Sequence, residues 1–417
     1  MEDSKNRQPS FGEAIRLWLK IGCIGFGGPS GQIAILHREV VEKRGWVAEE
    51  EFVRALRFCM LLPGPEAQQL ATWLGWRLHG VRGGIMAGTL FLLPAVLLLW
   101  GLSLLYVTGR DLPAIAGFFS GIKPAVTALV LTAVLRIGKR TLSSRSLAVG
   151  ALISLGLFLG GISYPLVLGA GALLGAVFHG RGDLQTVKPS AASPSSLGWA
   201  SLVSVPVIWG VPVAALTAWL GVDALPSRVA WFFAKVAVLS FGGAYAALSY
   251  VSLHASGDWG WITPGEMMDG LGLAESTPGP LLIALQFVAF LACWHAPGVL
   301  SPLFSATLGS LAAVWSLFLP SFLWIFTLAP VMDAISRNRR ISGALAAIGA
   351  VVTAVIACLG IRFAVPLFLE GGYVHVTPLA LGVASFVLMR SGKVGILPIL
   401  AACGILGMLC RILQLPF

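Results

Sequence analysis

Four long stretches of the chain carry no Asp, Glu, Lys or Arg: Gly83–Gly109, Ser146–Gly180, Pro189–Val222 and Ser276–Met332. Each exceeds the roughly 20 residues that an α-helix needs to cross a bilayer core. A water-facing body of 417 residues cannot leave such runs uncharged. The chain is 57% hydrophobic and 11% charged, against about 25% charged in soluble domains. The pattern predicts an all-α polytopic membrane protein. Strand-type alternation is absent, which argues against a transmembrane β-barrel.

Composition narrows the class further. The six cysteines stand singly in apolar segments, with no C-x-x-C pair, so they read as buried packing thiols and not as a disulfide or metal framework. No cleavable signal is expected, because Phe11–Gly28 carries Glu13, Arg16 and Lys20 inside its apolar run. The net charge of +10 sits in loops between apolar segments, which points to cytoplasmic loops and away from nucleic acid. The histidines have no metal-ligand spacing and no phosphate-binding glycine loop occurs, so neither a metal, a cofactor nor ATP-driven transport is expected.

The chain repeats itself. At an offset of 215 residues, Lys20 matches Lys235, Phe26-Gly27-Gly28 matches Phe241-Gly242-Gly243, Gly45-Trp46 matches Gly260-Trp261, and Pro63-Gly64-Pro65 matches Pro278-Gly279-Pro280. After an insertion near Cys293–Leu303 the offset becomes 226, pairing Pro94 with Pro320, Gly117 with Gly343, Thr127 with Thr353 and Arg136 with Arg362. The halves are homologous, each with eight apolar elements. The expected units are an N-terminal half over 1–180, a polar linker over 181–198, an unpaired transmembrane helix over 199–226 and a C-terminal half over 227–417.

Basic residues orient the halves, since Lys and Arg concentrate in cytoplasmic loops. They mark Arg38–Arg57, Arg77–Arg82 and Arg136–Arg145 in the first half, whereas in the second half none falls between Lys235 and Arg337. Equivalent loops therefore face opposite sides, and the unpaired segment Trp199–Gly221 supplies the inverting crossing. The expected architecture is an inverted-topology repeat, common in secondary transporters, with a cytoplasmic N-terminus and a periplasmic C-terminus. The first four elements of each half are about 15 residues long, roughly 22 Å as helices and short for a ~30 Å core. They predict two broken-helix or re-entrant hairpins per half.

The hairpin tips hold the chemistry. Gly27-Gly28 with Ser30, and Pro63-Gly64-Pro65, recur as Gly242-Gly243 and Ser276-Thr277-Pro278-Gly279-Pro280. Proline fits a first helical turn and glycine permits a tight reversal, so each tip should start a helix inside the membrane. A helix N-terminus acts as about +0.5 charge and suits an anion. Four converging N-termini, with the Ser30, Ser276 and Thr277 hydroxyls, would suit an oxyanion dianion. The bland reading is a set of Gly/Pro kinks for close packing; doubling in both halves favours a site.

Charges inside apolar elements are costly and default to function. Lys20, Lys235 and Lys123 are candidate substrate ligands, with snorkelling to the interface as the competing reading. Arg136 and Arg362 read as interface anchors. Glu66, directly after Pro65, and Glu275 are candidate coupling carboxylates; for Glu66 a dipole-stabilised helix start is an equal alternative.

The runs Phe26-Gly27-Gly28-Pro29 and Leu61-Leu62-Pro63-Gly64-Pro65-Glu66-Ala67-Gln68-Gln69, repeated as Ser240-Phe241-Gly242-Gly243 and Ser276-Thr277-Pro278-Gly279-Pro280, resemble the chromate ion transporter family in its long, two-half form. The resemblance spans nearly the whole chain. It implies a bacterial inner-membrane protein that expels chromate, with sulfate as competitor; a homodimer is a further expectation. The second half departs from the motif at Ala244 and Leu281, which stand where the first half has Pro29 and Glu66. The residues themselves imply only an anion-favouring repeat, so a sulfate or molybdate carrier stays open. So does, from another class, a membrane enzyme acting on a phosphorylated lipid, although the aspartates are scattered and form no cluster.

Overall fold

Backbone N–H and C=O groups inside a bilayer must be satisfied within their own segment, and the long apolar runs accordingly fold as helices. The computed structural model describes residues 9–178, 199–329, 339–370 and 373–414. Among these residues the helices are α1 (Phe11–Ile24), α2 (Gly28–His37), α3 (Glu49–Cys59), α4 (Glu66–Gly109), α5 (Pro113–Thr141), α6 (Arg145–Leu159), α7 (Tyr164–Phe178) and α8 (Trp199–Leu220). There follow α9 (Leu225–Leu239), α10 (Ala244–Leu253), α11 (Pro264–Ser276), α12 (Ala284–His295), α13 (Pro302–Leu328), α14 (Arg339–Phe368), α15 (Val376–Ser391) and α16 (Ile396–Ile412). A two-residue antiparallel pair, Leu369–Glu370 with Tyr373–Val374, is the one strand feature described. The expected linker 181–198 and Arg337 and Asn338 of the basic loop lie outside the described residues.

Among the described residues four helices are long and apolar enough to cross a membrane: Glu66–Gly109, Pro113–Thr141, Pro302–Leu328 and Arg340–Phe368. The chain is a multi-pass membrane protein built on two homologous halves. The repeat extends to local detail. A π-helical turn follows α2 at Arg38–Glu42 and follows α10 at His254–Asp258. In both halves the Gly-Trp tryptophan amide then closes on equivalent carbonyls, Trp46 on Val40 at 2.9 Å and Trp261 on Ala255 at 2.7 Å.

The first half's α4 is broken at His79 and Gly80, where φ/ψ leave the helical region. Its second-half counterpart is two separate helices, α12 and α13, joined across Ala296–Ser301. Pro94 and Pro320 sit inside the long limbs of these paired units, where a missing N–H and the ring bulk favour a kink.

The halves do not fold side by side. Helices α1, α4, α8, α9, α12 and α13 pack on one another as one body, and α5, α6, α7, α14, α15 and α16 as another. Each body draws matching helices from both halves, and the pairings are reciprocal: α5 with α16 and α15 mirrors α14 with α7 and α6. Close approach uses small residues, as expected where packing lacks an aqueous driving force. A Cβ at Gly121 or Gly175 would collide with the backbone of Cys403 or Gly343.

Candidate functional site

The four tips fold as glycine-dependent turns. Gly64 and Gly279 have φ of 119° and 116°, and Gly27 and Gly242 have φ of 89° and 79°, conformations that L side chains rarely adopt. Three tips start α-helices: α2 at Gly28-Pro29, α4 after Pro65 and α10 after Gly243. The fourth departs from the expectation of an α-helical start. After Pro280 a single 3-10 turn, Leu281–Ile283, runs into α12.

The tips meet in crossed pairs. The Gly64 amide donates to the Ser240 carbonyl at 3.1 Å, and the Gly279 amide donates to the Gly25 carbonyl at 3.0 Å. Gly25 and Ser240 are equivalent in the repeat, so each Pro-Gly-Pro tip is tied to the Gly-Gly tip of the opposite half. Behind them the relation continues: a Cβ on Gly64 would lie 2.8 Å from Ser321 Oγ, and one on Gly279 would collide with Ala95. Ala95 and Ser321 follow the paired kink prolines.

The buried groups around these crossings are polar. Gln32 Nε2 donates to the Gly25 carbonyl at 3.1 Å and also to that of Gly279, and Gln69 Nε2 donates to the Pro63 carbonyl at 2.7 Å. Gln68 is fully buried, and neither its amide nor the hydroxyls of Ser240 and Ser321 has a protein partner. An unmet polar group in the interior costs about 1–3 kcal/mol.

One crossing carries more charge than its mate. Glu66, half-buried at the head of α4, faces the Gly243 turn, where an added Cβ would lie 4.0 Å from its Oε1. Buried Glu275 accepts a 2.9 Å hydrogen bond from the Tyr245 hydroxyl. The α5 helix brings Arg136 within electrostatic reach of Glu275 and Tyr245, and Arg140 within reach of Glu66. Both arginines are exposed. At the other crossing, Leu281 and Met60 replace Glu66 and Glu275, and Ser30 replaces Tyr245.

The remaining expected residues are distributed. Pro63, Gly64, Pro65, Pro278, Gly279 and Pro280 are buried at the crossings, while Gly27, Ser30 and Gly242 are exposed and Gly28 and Gly243 half-buried. The Ser276 hydroxyl donates to Gly272 O at 2.8 Å and the Thr277 hydroxyl to Ala274 O at 3.0 Å. Lys20 pairs with Glu39 at 3.3 Å, joined there by Lys43 at 2.9 Å and Arg44 at 2.5 Å. Burial of Glu39 alone would raise its pKa, but Lys43, Arg44 and Lys20 outweigh it and hold the carboxyl at about 2. Lys123 pairs with Asp269 at 3.7 Å. Lys235 lies exposed on α9. Arg136, Arg140, Tyr245 and Asp269 stand beyond the residues expected at the substrate. Of these, Arg136 alone carries a signal in the sequence, its match to Arg362 in the repeat.

The pattern that describes chromate transporters matches residues 12–176 and again 227–408. The chain belongs to the chromate transporter family. The two matches fall on its two halves. A chromate transport protein of Pseudomonas aeruginosa is 31% identical over 96% of this chain and 92% of that protein. A probable chromate transport protein of Synechococcus elongatus is 27% identical, covering 83% of this chain and 84% of its own length. An uncharacterized transporter of Methanocaldococcus jannaschii is 24% identical over 86% of each. No solved structure matches this family member. Among its described residues no His, Cys, Asp and Glu gather as metal ligands.

Proposed function

We propose that the chain is a secondary transporter that carries a tetrahedral oxyanion dianion, foremost chromate, out of the cytoplasm across a bacterial inner membrane. Family membership across both halves is the observation that carries this reading. The crossed tips support it physically, since they place helix starts and unmet buried polar groups where an anion would otherwise face a steep desolvation cost. In this reading the anion rests near the crossings of Gly27-Gly28 and Ser30 with Pro278-Gly279-Pro280 and of Gly242-Gly243 with Pro63-Gly64-Pro65. Ser276 and Thr277 stand beside it, and Glu66 and Glu275 answer for coupling. Lys20 and Lys235 assist from the flanks; Lys123 does so when released from Asp269.

The inverted arrangement belongs to the same proposal. Glu51 and Glu266 are equivalent in the repeat, yet Glu51 pairs with Arg77 and Glu266 with Arg110. Between these arginines lies the Val81–Gly109 limb of α4, about 43 Å long at 1.5 Å per residue. This supports opposite orientation of the halves, an N-terminus in the cytoplasm and a C-terminus outside it. We assign the halves to 1–180 and 227–417, sulfate as a competitor and a homodimer as the assembly. A role in transport, not catalysis, accounts for the crossed tips.

The test is radiolabelled chromate uptake into everted vesicles. Uptake above empty-vector vesicles, inhibited by sulfate and lost in Lys20→Ala or Lys235→Ala at matched expression, is expected. No uptake by the wild type overturns the reading, and unchanged uptake in both variants removes the lysines from the site. Preference for labelled sulfate or molybdate would favour the other carriers.

A further inference from the structure

The two halves share a sequence register but not a packing state. The hairpin α10–α11 is clasped by the α5–α7/α14–α16 body: α10 lies on α14 and α11 on α5. By the repeat, α2 should lie on α5 and α3 on α14, and neither pair packs comparably. Burial follows the difference. Met268, Leu271, Gly272 and Glu275 of α11 are buried, whereas their mates Val53 and Leu56 are half-buried and Arg57 and Met60 exposed. A groove of about 520 Å³ lies open between α2 and α3, lined by Ser30, Ile33, Ala34, Phe52, Val53 and Leu56 among others. The equivalent positions Leu248, Ser249, Met267, Met268 and Leu271 are buried.

The closed seam carries an ion lock. Lys123 Nζ on α5 lies 3.7 Å from Asp269 Oδ2 on α11, and the Tyr106 hydroxyl donates to the same oxygen at 2.9 Å. Toward the membrane surface Glu266 pairs with Arg110 at 3.2 Å and faces His295 at 3.5 Å. Deeper in, the Thr127 hydroxyl meets Met268 Sδ at 3.8 Å, and Ile122 crosses at Gly272, where a Cβ would lie 2.7 Å from its Cγ2. On the unformed seam the mates of Lys123 and Asp269 are Gly349 and Arg54, so no equivalent lock exists.

We propose that the α5–α7/α14–α16 body swings between the two hairpins, that this structure is the state closed on α10–α11 and open on α2–α3, and that Lys123–Asp269 is the one-sided latch holding it. The second state follows from exchanging the packing of the halves: α5 moves onto α2 and α14 onto α3, filling the groove and freeing the far side. A packed interface of this kind has two arrangements and few between. The one-sided latch biases the resting population, and releasing it shifts the balance by the differential contact alone. The inference rests on the transport reading for its purpose, not for its geometry.

The experiment uses full-length protein in vesicles, with native cysteines replaced, and two double-cysteine variants. Thr127→Cys/Met268→Cys reports the closed seam; Val53→Cys/Thr353→Cys, the equivalent pair, reports the other. The first pair is expected to cross-link at rest and arrest chromate uptake until reduced. The second should cross-link at least tenfold faster when chromate is turning over. Adding Asp269→Asn, or Lys123→Gln if that fails to fold, should move cross-linking severalfold from the first pair to the second. Absence of the second cross-link in a variant that transports, or a ratio unmoved by both latch variants, overturns the proposal. A ratio that moves in vesicles taking up no chromate upholds the two states and instead overturns the transport reading.

Discussion

The backbone amide of Gly64 donates to the carbonyl of Ser240 at 3.1 Å, tying the Pro-Gly-Pro tip of one half to the Gly-Gly tip of the other. Its mirror is Gly279 on Gly25 at 3.0 Å. Both glycines have φ near 120°, at 119° and 116°, so alanine at either is strained by about 1–3 kcal/mol. The surroundings differ. The new methyl at 64 meets Ser321 Oγ at 2.8 Å and the Gln69 amide at 2.9 Å, flexible groups that can turn aside. At 279 it meets Ala95, which cannot. Gly279→Ala should therefore lower the unfolding temperature in detergent more than Gly64→Ala, and Ala95→Gly should restore part of the loss only in the Gly279→Ala background. Equal losses, with no rescue, would count against the crossed packing.

The fold was legible where its causes are local. The tips announce themselves because proline and glycine chemistry fixes the turn within a few residues, and the break at His79-Gly80 falls between two separately readable apolar runs. What escaped depends on contacts distant in sequence. Lys20 looks intramembrane by its place in α1, but its partner Glu39 sits beyond the α2 turn, 19 residues on, and becomes visible once α2 folds back. Arg136 looks like an interface anchor by position, and Arg140 like part of the basic loop that follows it. Only the crossing of α5 with the tips brings them toward Glu275 and Glu66. The fourth tip opens with a 3-10 turn although its Pro-Gly-Pro matches the second; its first residue is Leu281 where the second tip has Glu66.

The carboxyl of Glu39, 1% exposed, collects Lys20, Lys43 and Arg44. Its pKa is held at about 2 from an ordinary 4.5, so the folded state favours the ionised form. The stabilisation is complete above pH 4.5 and is lost as pH falls toward 2. Glu39→Gln should lower the thermal midpoint at pH 7, and the gap to wild type should narrow as pH is taken down to about 3. Lys20→Ala should cost less, because Lys20 is half-exposed and two cations remain. A gap that stays constant with pH would show that the loss is one of packing.

Glu66 faces the Gly243 turn and its mate is Leu281, so this carboxylate has no counterpart at the other crossing. If this carboxylate carries the coupling proton, Glu66→Gln should keep chromate exchange between equilibrated vesicles yet lose the acceleration produced by an imposed pH gradient. An imposed potential, with pH clamped, should still act on the variant. Gradient response equal to wild type would remove Glu66 from coupling and leave it as a dipole-stabilised helix start.

Arg136 bears on the Tyr245–Glu275 pair from α5, and its guanidinium is exposed; in the transport reading it meets the anion at this crossing. Removing one charge-assisted contact from a ligand typically costs about 1.5–3 kcal/mol, or roughly 10–100-fold in affinity. Arg136→Ala should thus raise the half-saturating chromate concentration at least tenfold, while Arg136→Lys should recover much of it, and maximal flux should change little in either. Arg362→Ala, at the repeat-equivalent position on α14, which does not pack closely on α3 in this state, should shift half-saturation less in the state closed on α10–α11. Measured in Asp269→Asn, where that state is depleted, the two arginine variants should converge. Persistence of the full difference would mean that the asymmetry lies in the sequence of the crossings and not in which hairpin is closed.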